Sequence, residues 1–196
     1  MQIEINVKDG SLGDWSITTF TINEEQADVY NMRMLMERLP EALILPGTYK
    51  KLTHKEMGVV MSNTPMEIRD HRKLFLNVKL LGGDILINGL GLGMALTKIL
   101  TYENVTSVTV IEKSEEVIQL VSESFKDKRV SIIHADAMTY KPPVNKKYSV
   151  VWHDIWNEKS ADNLKEMGTL HRRYGRKCIW QGSWGKDWIK KDQRRN

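Results

Sequence analysis

The segment from Ile85 to Glu112 constrains the fold more than any other part of the chain. A strand pattern, ILIN at 85–88, leads directly into three alternate glycines, Gly89, Gly91 and Gly93, and then into a helix pattern. A second strand pattern, SVTVIE, follows and ends at Glu112. A strand, a glycine turn, a helix and a second strand in this order are typical of the first β-α-β unit of a Rossmann-like fold.

The chain after this unit continues to alternate between short apolar runs and amphipathic stretches. Strands are predicted at 85–88, 107–112, 130–134, 148–153 and 177–182, and helices at 93–102, 114–125 and 159–173. Strands that alternate with helices predict a parallel sheet, and nearly continuous apolar strands predict a sheet that is covered on both faces. The expected fold class is therefore α/β, with a doubly wound, mostly parallel sheet.

The region before the glycine turn has a different pattern. A β-hairpin is predicted from strands at 2–7 and 15–22 around the turn DGSLGD, and Asn23 is a candidate N-cap for a helix that reaches Pro40. Short strands are predicted at 50–53 and 58–61, and a further helix from Thr64-Pro65 to about Leu81. The sequence therefore predicts an N-terminal α+β extension over 1–63 and a Rossmann-like core over 64–196.

Composition excludes several classes of protein. No apolar run approaches the roughly 18 residues of a membrane span, and the N-terminus lacks the pattern of a secretory leader. The single cysteine, Cys178, cannot form an internal disulfide, and no His/Cys/carboxylate cluster has metal-ligand spacing. We expect a cytoplasmic protein without a membrane partner and without a metal site.

The glycine turn predicts a ligand site, because glycines let a ligand approach the backbone and the following helix offers free N–H groups. An acidic residue at the tip of the second strand is the usual partner of ribose hydroxyls, and Glu112 occupies that place. We expect Ser114 to cap the next helix and to leave Glu112 free for the ribose. The third glycine of the NAD fingerprint would fall on Met94 or Leu96, so the spacing favours S-adenosylmethionine (SAM). A purely structural turn is the alternative.

Four segments in this order resemble motifs I to IV of class I SAM-dependent methyltransferases: ILINGLGLGMAL, VTVIEKSEEVIQLV, IIHADA and YSVVWHDIW. The second segment is similar to the spermidine synthase group, and NTPMEIRDHRKLF, before the core, is similar to guanidinoacetate methyltransferase. The resemblance implies a SAM-methyltransferase core. That core would be shortened at its C-terminus, because only 14 residues follow Gly182, where the family continues to a sixth and a seventh strand.

The resemblance also implies roles for individual residues. The three glycines would lie under the methionine part of SAM, Glu112 would bind the ribose with Lys113 beside it, and the adenine would be bound at Asp136 and Ala137. Two positions depart from the pattern. Ile87 stands where methyltransferases usually carry an acid before the first glycine, and Leu92 stands where spermidine synthases usually carry an aspartate.

A second group of residues predicts an acceptor pocket. Asp154, after the fourth strand of the core, is the candidate catalytic residue, because a carboxylate can orient an amine and offset its charge. Glu67, Trp156 and Glu158 are the candidate substrate-binding residues, and we expect His153 to lie behind Asp154. The alternatives are that Asp154 is an ordinary loop acid and that the neighbouring Trp152 belongs to the core.

These features predict a SAM-dependent methyltransferase that acts on a small, amine-bearing acceptor. One alternative is an aminopropyl transferase of the spermidine synthase type, and another is a non-catalytic nucleoside-binding or interaction protein on the same fold. The basic C-terminal segments, HRRYGRK at 171–177 and the tail from Lys186, suggest nucleic acid as a partner. A solvated, charged surface is the favoured interpretation of both segments, because the net charge of +4 is a mild excess and no N-P-P-[YFW]-like motif follows the fourth strand. A small molecule is therefore the expected partner. The N-terminal hairpin is a candidate homodimer contact.

Overall fold

A computed structural model describes residues 3–37, 39 and 43–194 as an α/β fold with two sheets. The first sheet is antiparallel, with the order β1-β2-β3-β4. Its strands are β1 (Gly10–Leu12), β2 (Trp15–Ile22), β3 (Gly47–His54) and β4 (Gly58–Ser62). The short strands predicted at 50–53 and 58–61 are confirmed, as parts of β3 and β4.

The predicted hairpin exists, but its first strand was predicted at the wrong place. Strand β1 lies within the segment that was predicted as the turn, and it pairs Leu12 with Trp15. Residues 3–9 belong to no strand, and position 2 lies outside the described residues. The alternation that suggested a strand has another cause: Ile3, Ile5 and Val7 are buried in the core. The alternation of apolar and polar residues at 2–7 therefore indicated alternate burial and not a paired strand.

Helix α1 (Glu24–Met36) begins as predicted. The Asn23 side chain accepts the backbone N–H of Gln26 at 2.8 Å, and the Gln26 side chain accepts that of Asn23 at 3.0 Å, which forms a capping box. The helix ends at Met36, and the predicted end at Pro40 lies outside the described residues. Its apolar residues are largely exposed, with Met32 at 66% and Met36 at 80%.

The single helix predicted over 64–81 is two helices, α2 (Pro65–Asp70) and α3 (Arg72–Leu81), which meet at His71. The Glu67 carbonyl lies 2.9 Å from ring atom Nδ1 of His71, while the backbone N–H of His71 is directed to the Arg69 carbonyl. The ring thus takes the acceptor that a continuous helix would give to the backbone N–H. Pro65 in the first turn and Gly82 after the last turn are as predicted.

The second sheet is parallel and has the order β7-β6-β5-β8-β9. Its strands are β5 (Gly83–Asn88), β6 (Val105–Glu112), β7 (Val130–His134), β8 (Tyr148–His153) and β9 (Cys178–Ser183). The helices are α4 (Met94–Leu100), α5 (Glu115–Val121), α6 (Asn163–Tyr174) and α7 (Lys186–Asp192), with one 3-10 turn at Ser122–Ser124. All five predicted strands of the core are confirmed. The largest changes, of four residues each, are that α5 ends at Val121 and not at 125, and that α6 begins at Asn163 and not at 159.

Both faces of the parallel sheet are covered. Ile85, Ile87 and Val150 point into a core that they share with α3, α4, α5 and the N-terminal sheet. Leu86 and Val151 point to the opposite face, where α6 packs. The doubly wound arrangement is therefore present, and it explains why the central strands have few polar residues.

The change from one sheet to the other lies near the predicted boundary at 63/64, since β4 ends at Ser62 and α2 begins at Pro65. Ile17 and Leu52 of the antiparallel sheet nevertheless belong to the same core cluster as the parallel strands. The division into two units stays a prediction. Within the described ranges, no helix is both long and apolar enough to cross a membrane.

Strand order reverses at β5, because the chain passes from β5 through β6 to β7 and then returns to β8 on the other side. In open α/β sheets, ligands bind beyond the carboxyl ends of the strands at such a reversal. Here the backbone N–H of Asp154, after β8, donates to the carbonyl of Asn88 at the end of β5, at 2.8 Å. This bond brings the glycine turn and the loop after β8 together at one place.

Candidate functional site

A cavity of about 540 Å³ lies at the carboxyl ends of the parallel strands. Its floor and sides come from the glycine turn and from the loops after β6, β7 and β8, while β3 and β4 of the N-terminal sheet contribute Leu52 and Met61. The structure brings nine of the predicted site residues to this cavity: Glu67, Gly89, Gly91, Glu112, Lys113, Asp136, Ala137, Asp154 and Trp156. The volume lies within the range of small-molecule sites.

The structure requires glycine at the three positions of the turn for different reasons. Gly89 has φ +100°, and a Cβ there would lie 1.9 Å from the carbonyl oxygen of Asp154, so the close approach of two strand ends requires it. Gly93 has φ +70°, and a Cβ there would lie 2.4 Å from the Phe125 ring. Gly93 therefore serves the packing of α4 and does not line the cavity, whereas the sequence predicted a cofactor contact there.

Gly91, the middle glycine, faces the cavity and is already covered by a side chain. A Cβ on Gly91, which has φ +51°, would lie 2.5 Å from the sulfur of Met61. The same sulfur accepts the backbone N–H of Leu92 at 3.4 Å. Met61 belongs to β4, and the sequence analysis missed it, because no local pattern links that strand to the glycine turn.

Glu112 ends β6 as predicted, but its carboxylate is not free. It accepts three backbone N–H groups, from Leu90 in the glycine turn and from Lys113 and Ser114, each at 2.8 Å. Ser114 does cap α5, accepting the N–H of Val117 at 3.1 Å. A carboxylate offers about four lone-pair positions. Glu112 thus stabilises the glycine turn and keeps capacity for about one further donor.

Asp136 lies at the end of β7, next to the strand that carries Glu112. Its carboxylate accepts the N–H of Met138 at 2.7 Å and lies 3.0 Å from the ammonium of Lys113. Burial raises the pKa of the Asp136 carboxyl, but these two hydrogen bonds, together with the positive charges of Lys113 and Arg173, outweigh burial and hold the pKa below its ordinary value. Asp136 therefore faces the cavity as a carboxylate, an acceptor only.

Arg173 of α6 holds the loop after Asp136. Its guanidinium donates to the carbonyl of Ala137 at 2.7 Å and to that of Tyr140 at 3.2 Å. These bonds fix the backbone beside the predicted adenine position. Arg173 was missed because its segment, HRRYGRK, was interpreted as a solvated basic stretch.

At the other end of the cavity, Asp154 pairs with His71. The carboxylate oxygen of Asp154 lies 2.7 Å from Nε2 of His71, and the His71 side chain has no exposed surface. The second ring nitrogen, Nδ1, faces the carbonyl oxygen of Glu67. Both ring nitrogens thus face acceptors, and only the imidazolium can donate to both. The sequence analysis missed His71, although it lies in the quoted segment NTPMEIRDHRKLF.

The pKa values agree with this geometry. Burial alone would lower the pKa of His71, but the charge and the hydrogen bond of Asp154, with a smaller contribution from Glu67, raise it to about 9. Burial raises the pKa of Glu67 to about 7, opposed by the positive charge of His71. At neutral pH the acceptor end therefore holds a buried imidazolium–carboxylate pair and, beside it, a glutamate whose pKa burial has raised to about 7.

The remaining predicted residues differ in their positions. Trp156 lines the cavity, and its indole N–H donates to Glu166 at 2.8 Å. Glu158 is exposed and lies outside the cavity lining, so the structure does not bring it to the acceptor end. Trp152 is buried between His71 and Trp180, which supports the alternative that it is a core residue.

His153 was expected behind Asp154, but it points to the opposite face of the sheet. There it contacts the rings of His171 and Tyr174, and its Nδ1 lies 2.7 Å from the Asn88 amide. The reason is strand geometry, because successive side chains of β8 point to opposite faces. Burial lowers the pKa of His153 to about 3, so its ring is neutral.

Trp184, after β9, also lines the cavity and was not predicted. Its side chain is 8% exposed, and its indole N–H has no hydrogen-bond partner within the part of the chain that the structure describes. Buried N–H groups are nearly always paired, so a ligand acceptor would complete this site. Over the same part of the chain, no group of three His, Cys, Asp or Glu side chains is placed to hold a metal ion.

No protein-family model and no curated protein matches the chain. Among solved structures, it is similar to yhhF from Escherichia coli, with 18% identity, 55% of this chain and 61% of that chain covered and a TM-score of 0.45. The N-methyltransferase NodS from Bradyrhizobium japonicum has 14% identity, 57% and 61% coverage and a TM-score of 0.45. A SAM-dependent methyltransferase from Mesorhizobium loti has 15% identity, 53% and 48% coverage and a TM-score of 0.41.

The chain thus spans less than two thirds of the length of each of these structures. Since every one of the three TM-scores is below 0.5, the function proposed next rests on the geometry of this chain's own site.

Proposed function

We propose that the chain is a SAM-dependent methyltransferase that acts on a small, amine-bearing acceptor. The observation that carries the proposal is one cavity with two chemically different ends. Glu112 and Asp136, at adjacent strand ends, suit a nucleoside, and the Asp154–His71 pair with Glu67 suits an amine. The glycine turn lies between the two ends.

The nucleoside end is supported by the hydrogen-bonding capacity that its residues retain. Asp136 presents a carboxylate that can accept the N–H groups of an adenine amine, and the neighbouring Ala137 backbone is held in place by Arg173. Glu112 keeps acceptor capacity for about one ribose hydroxyl beyond its three backbone bonds. These residues fit the nucleoside of SAM. Lys113, paired with Asp136, would lie at the outer rim.

The methionine end of SAM fits only after a local change. Gly91 is the glycine that faces the cavity, and the Met61 thioether occupies the space above it. Met61 is an unbranched, flexible side chain, so rotation about its bonds can clear this space. We propose that Met61 moves aside when SAM binds and otherwise keeps the glycine turn covered.

The acceptor end is suited to hold an amine and to take its proton. SAM, when bound, supplies a methyl group on a positively charged sulfur. Asp154 would orient the acceptor nitrogen by accepting one of its N–H groups, since His71 leaves part of the carboxylate available. Glu67, with a pKa of about 7, is suited to receive the proton that the amine loses. The Trp156 face and the unpaired N–H of Trp184 complete the pocket.

The test is methyl transfer from radiolabelled SAM to a panel of small amines, with Asp154→Asn as the variant. We expect the variant to bind S-adenosylhomocysteine like the wild type and to lose at least about tenfold in kcat, because it removes the carboxylate that orients the amine. It also removes the charged partner of His71, so urea unfolding must show that the variant is folded under the assay conditions. Asp162→Ala, at an exposed aspartate whose side chain does not cap α6, is the control. Equal turnover by Asp154→Asn and wild type would exclude the role of Asp154.

A non-catalytic nucleoside-binding protein is the second candidate, and the closed position of Met61 over Gly91 favours it. It predicts binding of S-adenosylhomocysteine without turnover of any amine. The finer hypothesis of an aminopropyl transferase has less support. Leu92, at the position where spermidine synthases usually carry an aspartate, is fully buried in the core.

A further inference from the structure

A second cavity, of about 530 Å³, lies at the open edge of the parallel sheet. It is bounded by β9, by the junction of α2 with α3, and by α7. We call it the basic cavity. The Asp70–Lys159 ion pair and Trp184 separate it from the first cavity. None of the predicted site residues lines it.

The basic cavity concentrates the positive charge of the molecule. Five of its lining residues are cationic and two are acidic, which leaves a local excess of three in a chain with a net charge of +4. The cationic residues come from two distant segments: Arg69, Arg72, Lys73, Lys186 and Lys190. Asp187 offsets one of them, because it pairs with Lys73, whereas Asp70 pairs with Lys159, which lies outside the cavity lining.

The interior of the basic cavity adds no compensating charge. The ammonium of Lys186 lies 3.2 Å from Nδ1 of His171, whose Nε2 lies 2.9 Å from the hydroxyl of Ser183. Burial, together with the charges of Lys186 and Lys190, lowers the pKa of His171 to about 4, so this ring is neutral. Burial and the charge of Lys190 also lower the pKa of Lys186. A bound anion would relieve this repulsion.

Aromatic surface lies beside these charges. Trp180 stacks on Trp152 with ring centroids 6.2 Å apart, and both rings line the cavity. Trp188, one turn before the end of α7, is 48% exposed and lines the same cavity. Cationic side chains next to an exposed indole are the combination that binds phosphate and stacks a base.

We propose that the basic cavity binds a nucleotide, with Lys186, Lys190 and Arg72 on the phosphate. The base would stack on the face of Trp188 opposite the one that the Lys159 ammonium covers at 6.0 Å. The sequence alone ranked nucleic acid below a small molecule, because no N-P-P-[YFW]-like motif follows the fourth strand of the core. The fold brings the segment around Arg72 to the segment around Lys186. The site is separate from the methyl-transfer cavity and does not rest on the function proposed for that cavity.

The probe is fluorescein-labelled dT12, a single-stranded DNA, titrated with the wild-type chain while fluorescence anisotropy is recorded without SAM. We expect log affinity to fall linearly with log salt, as phosphate contacts require. ATP should displace the probe, whereas polyglutamate of equal charge should not, since it lacks a base. If dT12 binds much more tightly than ATP, the natural ligand is a nucleic acid strand. If the two affinities are similar, the natural ligand is a free nucleotide.

Two charge-matched double variants locate the site. Lys186→Ala with Lys190→Ala should weaken dT12 binding at least tenfold. Lys126→Ala with Lys128→Ala removes the same charge before β7, at the opposite edge of the sheet, and should change it less than twofold. Equal losses in both pairs would overturn the proposal, because they would indicate diffuse attraction to the whole surface. If the first pair does not fold, Arg72→Ala, an exposed position, gives the same test.

Trp188→Ala tests the stacking contact. We expect about a tenfold loss of affinity for dT12 and no change in the weak competition by pyrophosphate, which has no base. An unchanged affinity for dT12 in this variant, or displacement of dT12 by polyglutamate as readily as by ATP, would refute a nucleotide site. Binding of S-adenosylhomocysteine is measured separately, so failure of either proposal leaves the other testable.

Discussion

Replacement of His71 by glutamine should remove a pH-dependent part of the stability. The His71 side chain is fully buried, and its Nε2 lies 2.7 Å from the Asp154 carboxylate. Glutamine keeps a donor for Asp154 but has no charge at any pH. The variant therefore isolates the contribution of the imidazolium.

The size of the effect follows from the pKa of His71, which rises from 6.5 to about 9 on folding. That difference corresponds to about 3 kcal/mol in the free energy of unfolding. Because the folded pKa is raised, the contribution is fully present below pH 6.5 and is lost as the pH rises through 9. The value agrees with the 3 to 5 kcal/mol that breaking a buried ion pair costs.

The assay is urea unfolding of the wild type and of His71→Gln at several pH values between 6 and 9.5. We expect the variant to be less stable by about 3 kcal/mol at pH 6 and this difference to shrink toward pH 9.5. The comparison cancels the titration of groups that do not interact with His71. A difference that stays constant over this range would refute the assignment of a buried imidazolium.

Three other changes test separate contacts. Gly89→Ala should destabilise the fold by at least about 2 kcal/mol in urea unfolding, because its Cβ would lie 1.9 Å from the Asp154 carbonyl; Gly58→Ala, with a similar φ but open space, should cost only about 1 kcal/mol. Met61→Ala should bind S-adenosylhomocysteine several-fold more tightly in calorimetry than the wild type, and Met61→Leu, which keeps the bulk, should not. On acidification, the wild type should lose on the order of 4 kcal/mol between pH 6.5 and 3 through His153, whose folded pKa is depressed to about 3. Absence of that loss relative to His153→Phe in urea unfolding at each pH would contradict a neutral buried ring.

The parallel sheet was predictable because its signals are local. Each strand is a short apolar run, each helix has its own period, and the glycine turn joins the first pair. The same is true of the cap at Asn23, which the structure confirms. The strand ends then followed from topology, and with them the places of Glu112, Asp136 and Asp154.

The contacts that complete the cavity were not predictable, because they join distant parts of the chain. His71 meets Asp154 across 83 positions, and Met61 meets Leu92 across 31. A single sequence carries no signal for such pairs. The break at His71 was missed for the same reason, since the helix pattern continues through it.

Burial was misread where a pattern had two explanations. Ile3, Ile5 and Val7 alternate because they enter the core, and the backbone that carries them pairs with no strand. The apolar residues of α1 recur in a helical period, yet Met36 is 80% exposed. In both cases the apolar period was present in the sequence, but it did not show what, if anything, packs against those residues.

Titration calorimetry of the wild-type chain with S-adenosylhomocysteine tests the central claim most directly. The account predicts one site per chain, a loss of about tenfold or more in affinity for Asp136→Ala, and no change for Asp162→Ala, because a charge-assisted hydrogen bond to the adenine is removed only in the former. NAD should not displace S-adenosylhomocysteine from this site. No binding of S-adenosylhomocysteine, or equal affinity of Asp136→Ala and wild type, would contradict the nucleoside site at the ends of these strands.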